Sequence, residues 1–310
     1  MSRTETASIT SVLSRRQLLA AFALLLLLWG LAGPAAAAQT GRVAVYLGRE
    51  IAPYVAMVEG FEAALSPQPV ERVFLDPQGR PYSLTGSPNP VPQGYQAVVA
   101  VGPRALDYLQ PRAGDIPVLF GMVLNPEADA ESSGKPLCGV SLNLPIAAQL
   151  QALAEHLPQV RRLGILYDPA NNQDWFDHAQ ALAPADLSLV PLRVSSAAGR
   201  RQIVSTFAGL DAVMFIPDRT IISQAFIRYV IEQAFVRRLP VIGYNQYFVE
   251  SGATLGFVID YQQLGRQVAE LVQTVLNGDS CPGVEPPPFR VEMNRDMATA
   301  LGLELTPGRR

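Results

Sequence analysis

The sequence has few of the side chains from which metal sites and catalytic centres are usually built. Its 310 residues include only two histidines, His156 and His178, and only two cysteines. No G-x-S-x-G, H-E-x-x-H, P-loop or G-x-G-x-x-G motif occurs, and carboxylates are not paired at predicted strand ends. We therefore predict no metal, no cofactor and no catalytic residue.

Positive charge is also scarce. The chain carries 24 lysine and arginine residues against 27 acidic residues, which gives a net charge of −3. A nucleic-acid-binding domain needs a surplus of basic side chains to neutralise phosphates. The charge balance therefore predicts that nucleic acid is not a partner.

Long apolar runs are confined to the N-terminus. Arg15 and Arg16 precede the apolar stretch Leu18–Leu31, and Ala35–Ala38 supplies small residues before Gln39. This order is typical of a signal peptide, so residues 1–38 are predicted to be removed. The apolar run is shorter than the ~20 residues of a membrane-spanning helix, although an uncleaved anchor is the alternative. The paired arginines leave the twin-arginine route open. No cysteine lies near the cut, so we expect release into the periplasm.

The remaining chain alternates short apolar segments with amphipathic ones. Predicted strands are Arg42–Leu47, Val70–Leu75, Ala97–Val101, Ile116–Phe120, Cys138–Leu142, Arg162–Tyr167, Leu187–Val194, Ala212–Ile216, Pro240–Tyr244, Ala253–Val258 and Phe289–Glu292. Predicted helices are Pro53–Leu65, Arg104–Leu109, Pro145–His156, Gln173–Leu182, Ala198–Phe207, Ser223–Arg238, Tyr261–Leu276 and Asn294–Leu301. Strands joined by helical crossovers imply parallel sheets with helices on both faces.

Two such series predict an α/β fold of two doubly wound parallel-sheet lobes. Lobe 1 is predicted over residues 40–142, completed by about 258–284, and lobe 2 over 143–252, completed by about 290–303. A chain that returns to finish both lobes must cross between them several times. We therefore expect a multi-strand hinge with a cleft between the lobes. Cys138 and Cys281 lie near segments expected at this hinge, where either a disulfide or two free thiols fit the sequence.

Several segments resemble the ABC-transporter substrate-binding proteins of the tryptophan/tyrosine-binding type. They are the stretch from Leu239 (LPVIGYNQYFVESGATLGF), the closing FRVEMNRDMATALGLEL, Arg162–Asn172 (RLGILYDPANN) and Gly139–Leu142 (GVSL). Asp168 stands where the family usually has Asn, and Leu124-Asn125-Pro126 replaces its Asp-Pro-Val. The resemblance implies a type I periplasmic binding-protein fold. It also implies a small-molecule solute and an ABC permease of the inner membrane as partners, and we expect a monomer.

The ligand is expected beyond the carboxyl ends of the strands, where open parallel sheets bind their ligands. The candidate ligand-binding residues are Arg49, Glu50, Gly102, Pro103, Arg104, Ala105, Gly121, Asn125, Asn171, Asn172, Asp218, Tyr244 and Asn245. Trp175 is a further candidate for stacking on an aromatic ligand, but a core position is the more common role of such a residue.

Three of these groups have a specific chemical rationale. In Gly102–Ala105 a strand passes into a helix, and free N–H groups of Arg104 and Ala105 are expected to face an anion; an ordinary turn facing water is the alternative. Asn171 and Asn172 fit either a ligand or turn chemistry. Asp218 fits either a ligand amine or a helix cap.

The predicted function is extracytoplasmic solute binding for an ABC importer. A small amino-acid-like or anionic solute is expected to stabilise closure of the lobes over the cleft. A ligand-sensing periplasmic protein that partners a membrane receptor is the alternative. A secreted enzyme is a third alternative, although the sequence contains no recognisable catalytic motif.

Overall fold

The computed structural model describes residues 42–83, 94–126, 136–195, 202–218, 220–221 and 223–303. The predicted signal peptide at residues 1–38 lies outside this part of the chain. Within these ranges, no helix has the length and apolar character needed to cross a bilayer.

The strands form where short apolar segments can be buried on both faces. They are β1 (Val43–Leu47), β2 (Val70–Leu75), β3 (Pro81–Tyr82), β4 (Ala97–Val101), β5 (Val118–Val123), β6 (Gly139–Ser141), β7 (Arg162–Tyr167), β8 (Ser188–Arg193), β9 (Ala212–Phe215), β10 (Val241–Gly243), β11 (Leu255–Ile259), β12 (Val284–Glu285) and β13 (Phe289–Met293). Every residue of β1, β4 and β11 is buried. Such continuous apolar strands are typical of parallel sheets covered by helices.

The helices begin at capping residues or at prolines, except the short helix after Asn245, which has neither. They are α1 (Ala52–Leu65), α2 (Pro103–Leu109), α3 (Ile146–His156), α4 (Pro169–Leu182), α5 (Gln224–Val236), α6 (Gln246–Glu250), α7 (Tyr261–Leu276) and α8 (Arg295–Ala300), with a 3-10 helix at Ile203–Phe207. Asp168, Ser223 and Asp260 each accept an N–H from the first turn of α4, α5 and α7. These side chains satisfy donors that a helix start leaves unpaired.

The strands assemble into two sheets. The first has the order β12-β6-β5-β4-β1-β2-β3, and the second has the order β13-β11-β10-β9-β7-β8. All pairings are parallel except β2 with β3 and β11 with β13. The predicted fold class, α/β with two parallel-sheet lobes, is therefore confirmed.

The chain passes between the two sheets at three places. It leaves the first sheet after β6, returns from β11 to α7, and leaves again between β12 and β13. Helix α7 lies against α1 so closely that a Cβ on Gly60 or Gly265 would collide with the backbone of the other helix. The late segment α7 is thus anchored on the first lobe.

The two cysteines form a disulfide. Cys138 lies directly before β6, and Cys281 lies between α7 and β12. The disulfide is therefore within the first lobe, close to two of the three crossings.

The structure differs from the predicted elements at several points. Strand β5 continues to Val123, helix α4 starts at Pro169, and β3, β12 and α6 are short elements that the sequence pattern did not predict. Of the predicted helix Ala198–Phe207, residues 198–201 lie outside the described part of the chain.

Candidate functional site

The carboxylate of Asp218 connects the loops at the carboxyl edge of the second sheet. Asp218 follows β9 and is only 3% exposed. Its Oδ2 accepts the backbone N–H of Asp168 at 2.8 Å and the amide of Asn172 at 2.7 Å. Its Oδ1 accepts the backbone N–H of Thr220 at 2.8 Å and the amide of Asn171 at 3.3 Å. All four acceptor positions of the carboxylate are used, so Asp218 orders this edge of the sheet and has no position left for a ligand amine.

Three amide side chains at this edge have their nitrogens committed to internal acceptors. The Nδ2 atoms of Asn171 and Asn172 each donate to Asp218 and to one further oxygen. The Nε2 of Gln149 donates to the carbonyl of Leu144 at 3.0 Å. Because the acceptors are a carboxylate and carbonyl or hydroxyl oxygens, they determine which amide atom is nitrogen. The amide oxygens are the atoms left for a ligand.

A cavity of about 290 Å³ lies where these loops face the end of the first sheet. Its lining residues are Leu124, Asn125, Asn143, Leu144, Pro145, Ile146, Gln149, Asn172, Trp175, His178 and Pro217. Asn125 follows β5 of the first sheet, whereas Asn172 lies in α4 of the second lobe. The structure therefore brings these two predicted residues together. The volume is near the lower end of the ~300–1,000 Å³ typical of small-molecule pockets.

The first-lobe wall of this cavity depends on a contact between two asparagines. The backbone N–H of Asn125 donates to Oδ1 of Asn143 at 3.0 Å. Asn125 has a φ of 51°, a conformation that asparagine tolerates better than most residues. Opposite it, Trp175 is half-buried and packs against the edge of the hydrophobic core. Its ring thus serves both as core and as cavity wall.

Tyr244 and Asn245 follow strand β10, beside this network. Burial, the negative charge of Asp218 and the neighbouring Tyr261 together hold the pKa of the Tyr244 hydroxyl well above its usual range. Tyr261 begins α7 of the first lobe, so the two tyrosines approach from different lobes. The Oδ1 of Asn245 is buried and has no partner among the described residues. Buried acceptors without a partner are rare in folded proteins.

The carboxyl edge of the first sheet has a different character. Gly102 has a φ of 86°, and a Cβ there would collide with the ring and hydroxyl of Tyr54. Burial raises the pKa of the Tyr54 hydroxyl, and the charges of Arg49 and Arg104 oppose that rise. Two cationic side chains therefore lie near one phenol. The Arg104 guanidinium also donates to the Asp76 carbonyl at 3.4 Å.

The predicted anion site at Gly102–Ala105 needs correction. The Ala105 N–H donates to the Gly102 carbonyl at 3.1 Å, and Ala105 is fully buried. This amide is therefore not free for an anion. The N–H of Arg104, the other member of the predicted pair, has no backbone acceptor among the described residues. Pro103 is exposed at the start of α2.

Three other predicted residues are placed outside the cavity. Gly121 lies within β5, and a Cβ there would meet the Met57 methyl group at 2.7 Å. It packs against the core because the strand continues beyond the predicted end, and it is not among the residues that line the cavity. Arg49 and Glu50 are exposed after β1, and neither is among the residues that line the cavity.

Several residues at this site were not predicted from the sequence. Asn143 and Gln149 flank the first crossing, Tyr54 and Tyr261 begin helices, and His178 lies one turn beyond Trp175. The position of Tyr261 directly after a strand and a capping Asp260 was a signal for the carboxyl edge. Among the described residues, no three histidine, cysteine or acidic side chains are grouped to hold a metal ion.

A second cavity of about 410 Å³ lies at the amino edge of the first sheet. Ile116, Pro117 and both cysteines line it, on the side of the sheet opposite the carboxyl ends of the strands. It is larger, but residues from only one lobe line it. We therefore take the smaller cavity, which both lobes line, as the candidate ligand site.

Comparison with known proteins supports the fold described above. A family model described as ABC transporter substrate binding protein matches residues 56–298. A tyrosine-binding protein of Clostridioides difficile (strain R20291) is 27% identical over 202 residues, which cover 61% of this chain and 58% of that relative. The match thus spans less than two thirds of the relative's length.

Solved structures with the same fold include three bacterial proteins. A substrate-binding protein with adhesive properties from Clostridium difficile, in a ligand-free, open structure, has a TM-score of 0.69 and 20% identity, covering 86% of this chain and 96% of that chain. An ABC domain from Streptococcus pneumonia in complex with L-Trp has a TM-score of 0.60 and 20% identity, with the same coverage. A conserved domain protein from Vibrio cholerae has a TM-score of 0.58 and 22% identity, covering 87% and 97%.

Proposed function

The chain belongs to the family of ABC transporter substrate-binding proteins, and we propose that it binds a small amino-acid-like solute in the 290 Å³ cavity and delivers it to an ABC permease of the inner membrane. The cavity has walls from both lobes, with Asn125 on one side and Asn172 and Trp175 on the other. A solute that touches both walls is bound more tightly when the lobes are closed, and this difference in affinity drives closure.

The observation that carries this proposal is the polarity of the second-lobe wall. Asn172 and Gln149 line the cavity, and their amide nitrogens are engaged inside the protein, which leaves their amide oxygens for a ligand. This wall therefore offers acceptors. The complementary ligand group is a donor, such as the ammonium group of an amino acid.

The first lobe supplies the opposite charge. Arg49 and Arg104 lie near the Tyr54 hydroxyl at the carboxyl edge of the first sheet. Arginine pairs well with carboxylates through two parallel hydrogen bonds. We propose that the ligand carboxylate is held on this side after closure. A zwitterion would then connect the two lobes through its two charged ends.

Aromatic amino acids are the first ligands to test. The similar protein from Clostridioides difficile is named for tyrosine, and the structure from Streptococcus pneumonia holds L-Trp. In this chain the half-buried Trp175 supplies an aromatic wall, and an aromatic pair adds about 0.5–1.5 kcal/mol beyond its buried area.

The solute is tested by thermal unfolding of the purified protein with L-tyrosine, L-tryptophan or D-allose. A ligand at about 100 times its dissociation constant adds about 2.7 kcal/mol to the free energy of unfolding. We expect stabilisation by an aromatic amino acid and none by the sugar. The Trp175→Leu variant should weaken it, whereas Phe235→Leu, on an exposed surface outside the cavity, should not. Absence of stabilisation by either amino acid would contradict the proposal.

Export and transport need separate tests. Residues 1–38 are proposed to be a signal peptide, so the protein recovered from the periplasm should begin at Gln39 by N-terminal sequencing. Deletion of the gene should abolish uptake of the labelled solute. Uptake that persists unchanged would instead support the ligand-sensing alternative.

A further inference from the structure

We propose that the Cys138–Cys281 disulfide and the Ser141 hydroxyl form a clamp that positions the Asn125–Asn143 pair, so that solute affinity depends on the oxidation state of the disulfide. The proposal rests on the proposed function, because Asn125 and Asn143 matter for affinity only if their cavity is the ligand site. The clamp is built from β6, β12 and the chain that follows each of them.

The disulfide supports a strand pair that is too short to be stable alone. Strand β12 has only two residues, which pair with Gly139 and Val140 of β6 in parallel. The disulfide lies directly before this pairing and joins cysteines 143 residues apart in sequence. Two-residue pairings at the edge of a sheet contribute little on their own. The covalent bond therefore keeps β12 in register on β6.

Ser141 connects the paired strands β6 and β12 to the ligand site. Its side chain is 3% exposed, and its Oγ donates to the Glu285 carbonyl at 3.4 Å. The same Oγ accepts the backbone N–H of Asn143 at 3.2 Å. Asn143 in turn accepts the N–H of Asn125 at 3.0 Å. A continuous hydrogen-bonded path thus leads from β12 to the cavity wall.

The clamp also joins two of the three crossings between the lobes. After Ser141 the chain passes into α3 of the second lobe, and after Glu285 it passes through three prolines into β13. The side chain of Gln267 on α7 holds Glu285 from the first lobe, at 2.6 Å. The disulfide therefore fixes the relative position of two hinge segments where they leave the first lobe.

The disulfide can be reached from solvent. Both cysteines line the 410 Å³ cavity at the amino edge of the first sheet, and Cys281 is only half-buried. A thiolate of an external dithiol could attack Cys281, form a mixed disulfide and release the Cys138 thiolate, which takes up a proton. The second thiol of the reductant then releases the Cys281 thiol and leaves as a cyclic disulfide. Two electrons pass from the dithiol to the protein.

The experiment compares oxidised protein, dithiothreitol-reduced protein and the Ser141→Ala variant. L-tyrosine and L-tryptophan are the probes, and Ser205→Ala, which removes an exposed hydroxyl in the second lobe, is the matched control. We expect reduction and Ser141→Ala each to weaken probe binding by about threefold to tenfold, a typical range for mutations along a coupling path. Hydrogen exchange at the Asn125 and Asn143 amides should accelerate in both, and circular dichroism checks that the fold is retained.

The outcomes separate this proposal from the proposed function. Unchanged affinity and unchanged exchange at Asn125 and Asn143 after reduction would overturn the clamp. If oxidised protein binds neither probe, the proposed function fails, and amide exchange still tests the clamp. If reduction unfolds the protein, Ser141→Ala with the disulfide intact decides: normal exchange there overturns the proposal.

Discussion

The two lobes present very different surfaces to the cleft. At the second-lobe edge, Asp218 is buried and accepts four hydrogen bonds that hold the neighbouring loops. At the first-lobe edge, Arg49 is exposed and takes part in no hydrogen bond or ion pair within the described chain. The second-lobe edge is already organised without a ligand, whereas the first-lobe edge has a cationic side chain, Arg49, that no other described residue pairs with.

This difference suggests a division of roles during binding. A preorganised wall loses little entropy when a ligand arrives, so it suits the initial contact. A flexible, solvated cation makes its best contact only after the lobes close and water leaves. We therefore expect changes in the second-lobe edge to affect stability and affinity together, and changes in the first-lobe cations to affect affinity alone.

The largest effect is expected for Asp218→Ala. The change leaves several buried donors without an acceptor, so the free energy of unfolding should fall by about 3–5 kcal/mol, as measured by chemical denaturation. Binding of L-tyrosine should be lost at the same time. Asp211→Ala is the control, because Asp211 also accepts two backbone N–H groups, but at the opposite edge of the same sheet. A loss of stability equal to the control, with binding retained, would argue against an organising role.

Gly102→Ala should have the next largest effect. Its φ of 86° is unfavourable for alanine, and the new methyl group would displace Tyr54. We expect a loss of about 2 kcal/mol in stability. Gly79→Ala has a similar φ but open space around the new methyl group, so it separates the backbone cost from the collision. Equal losses in both variants would show that the Tyr54 contact is unimportant.

Arg49→Ala should separate affinity from stability. The exposed side chain makes no contact that folding needs, so the free energy of unfolding should change by less than about 0.5 kcal/mol. Loss of a charge-assisted hydrogen bond to the ligand should weaken L-tyrosine binding by about tenfold, as measured by calorimetry. Arg162→Ala, an exposed arginine at the start of β7, is the control and should bind normally. If both variants bind alike, Arg49 is not a ligand contact.

The smallest effect is a difference between two tyrosines in alkaline solution. Burial raises the pKa of both hydroxyls, but Asp218 raises that of Tyr244 further, whereas Arg49 and Arg104 oppose the rise at Tyr54. Tyr54 should therefore ionise first in a spectroscopic titration, with Tyr54→Phe and Tyr244→Phe used for assignment. The reverse order would contradict the charge difference between the edges.

The raised pKa of Tyr244 also determines the direction in which stability changes with pH. A folded-state pKa above the unfolded value of about 10 means that the fold favours the neutral hydroxyl. The corresponding stability is present below that pH and is lost as the pH rises toward the folded pKa. Wild-type stability should thus fall more steeply above about pH 10 than that of Tyr244→Phe.

Much of the fold followed from local pattern. Arg162–Tyr167 and Tyr261–Leu276 were predicted with their observed bounds, because one is a continuous apolar segment and the other has a strong helical period after a cap. Strand β12 could not be predicted, since two residues among prolines show no period and form a strand only through pairing with β6.

The site was harder to predict than the fold. The rule that ligands bind beyond the carboxyl ends of parallel strands selected Asn125 and Asn172, which line the cavity. It also selected Gly121, because the sequence did not show where β5 ends. It could not show that internal donors occupy every acceptor position of the Asp218 carboxylate, since two of them come from residues about 50 positions away in sequence. Such partners are set by the assembled sheet and not by any local signal.

The most direct test of the account is calorimetric binding of L-tyrosine beside its deaminated analogue, 3-(4-hydroxyphenyl)propionate, and its decarboxylated analogue, tyramine. An acceptor wall on the second lobe and cations on the first predict that each analogue binds more weakly than L-tyrosine. The deaminated acid should lose the most, because the amide oxygens of Asn172 and Gln149 in the cavity wall would be left without a donor. Binding of the deaminated acid as tight as that of L-tyrosine would contradict the account.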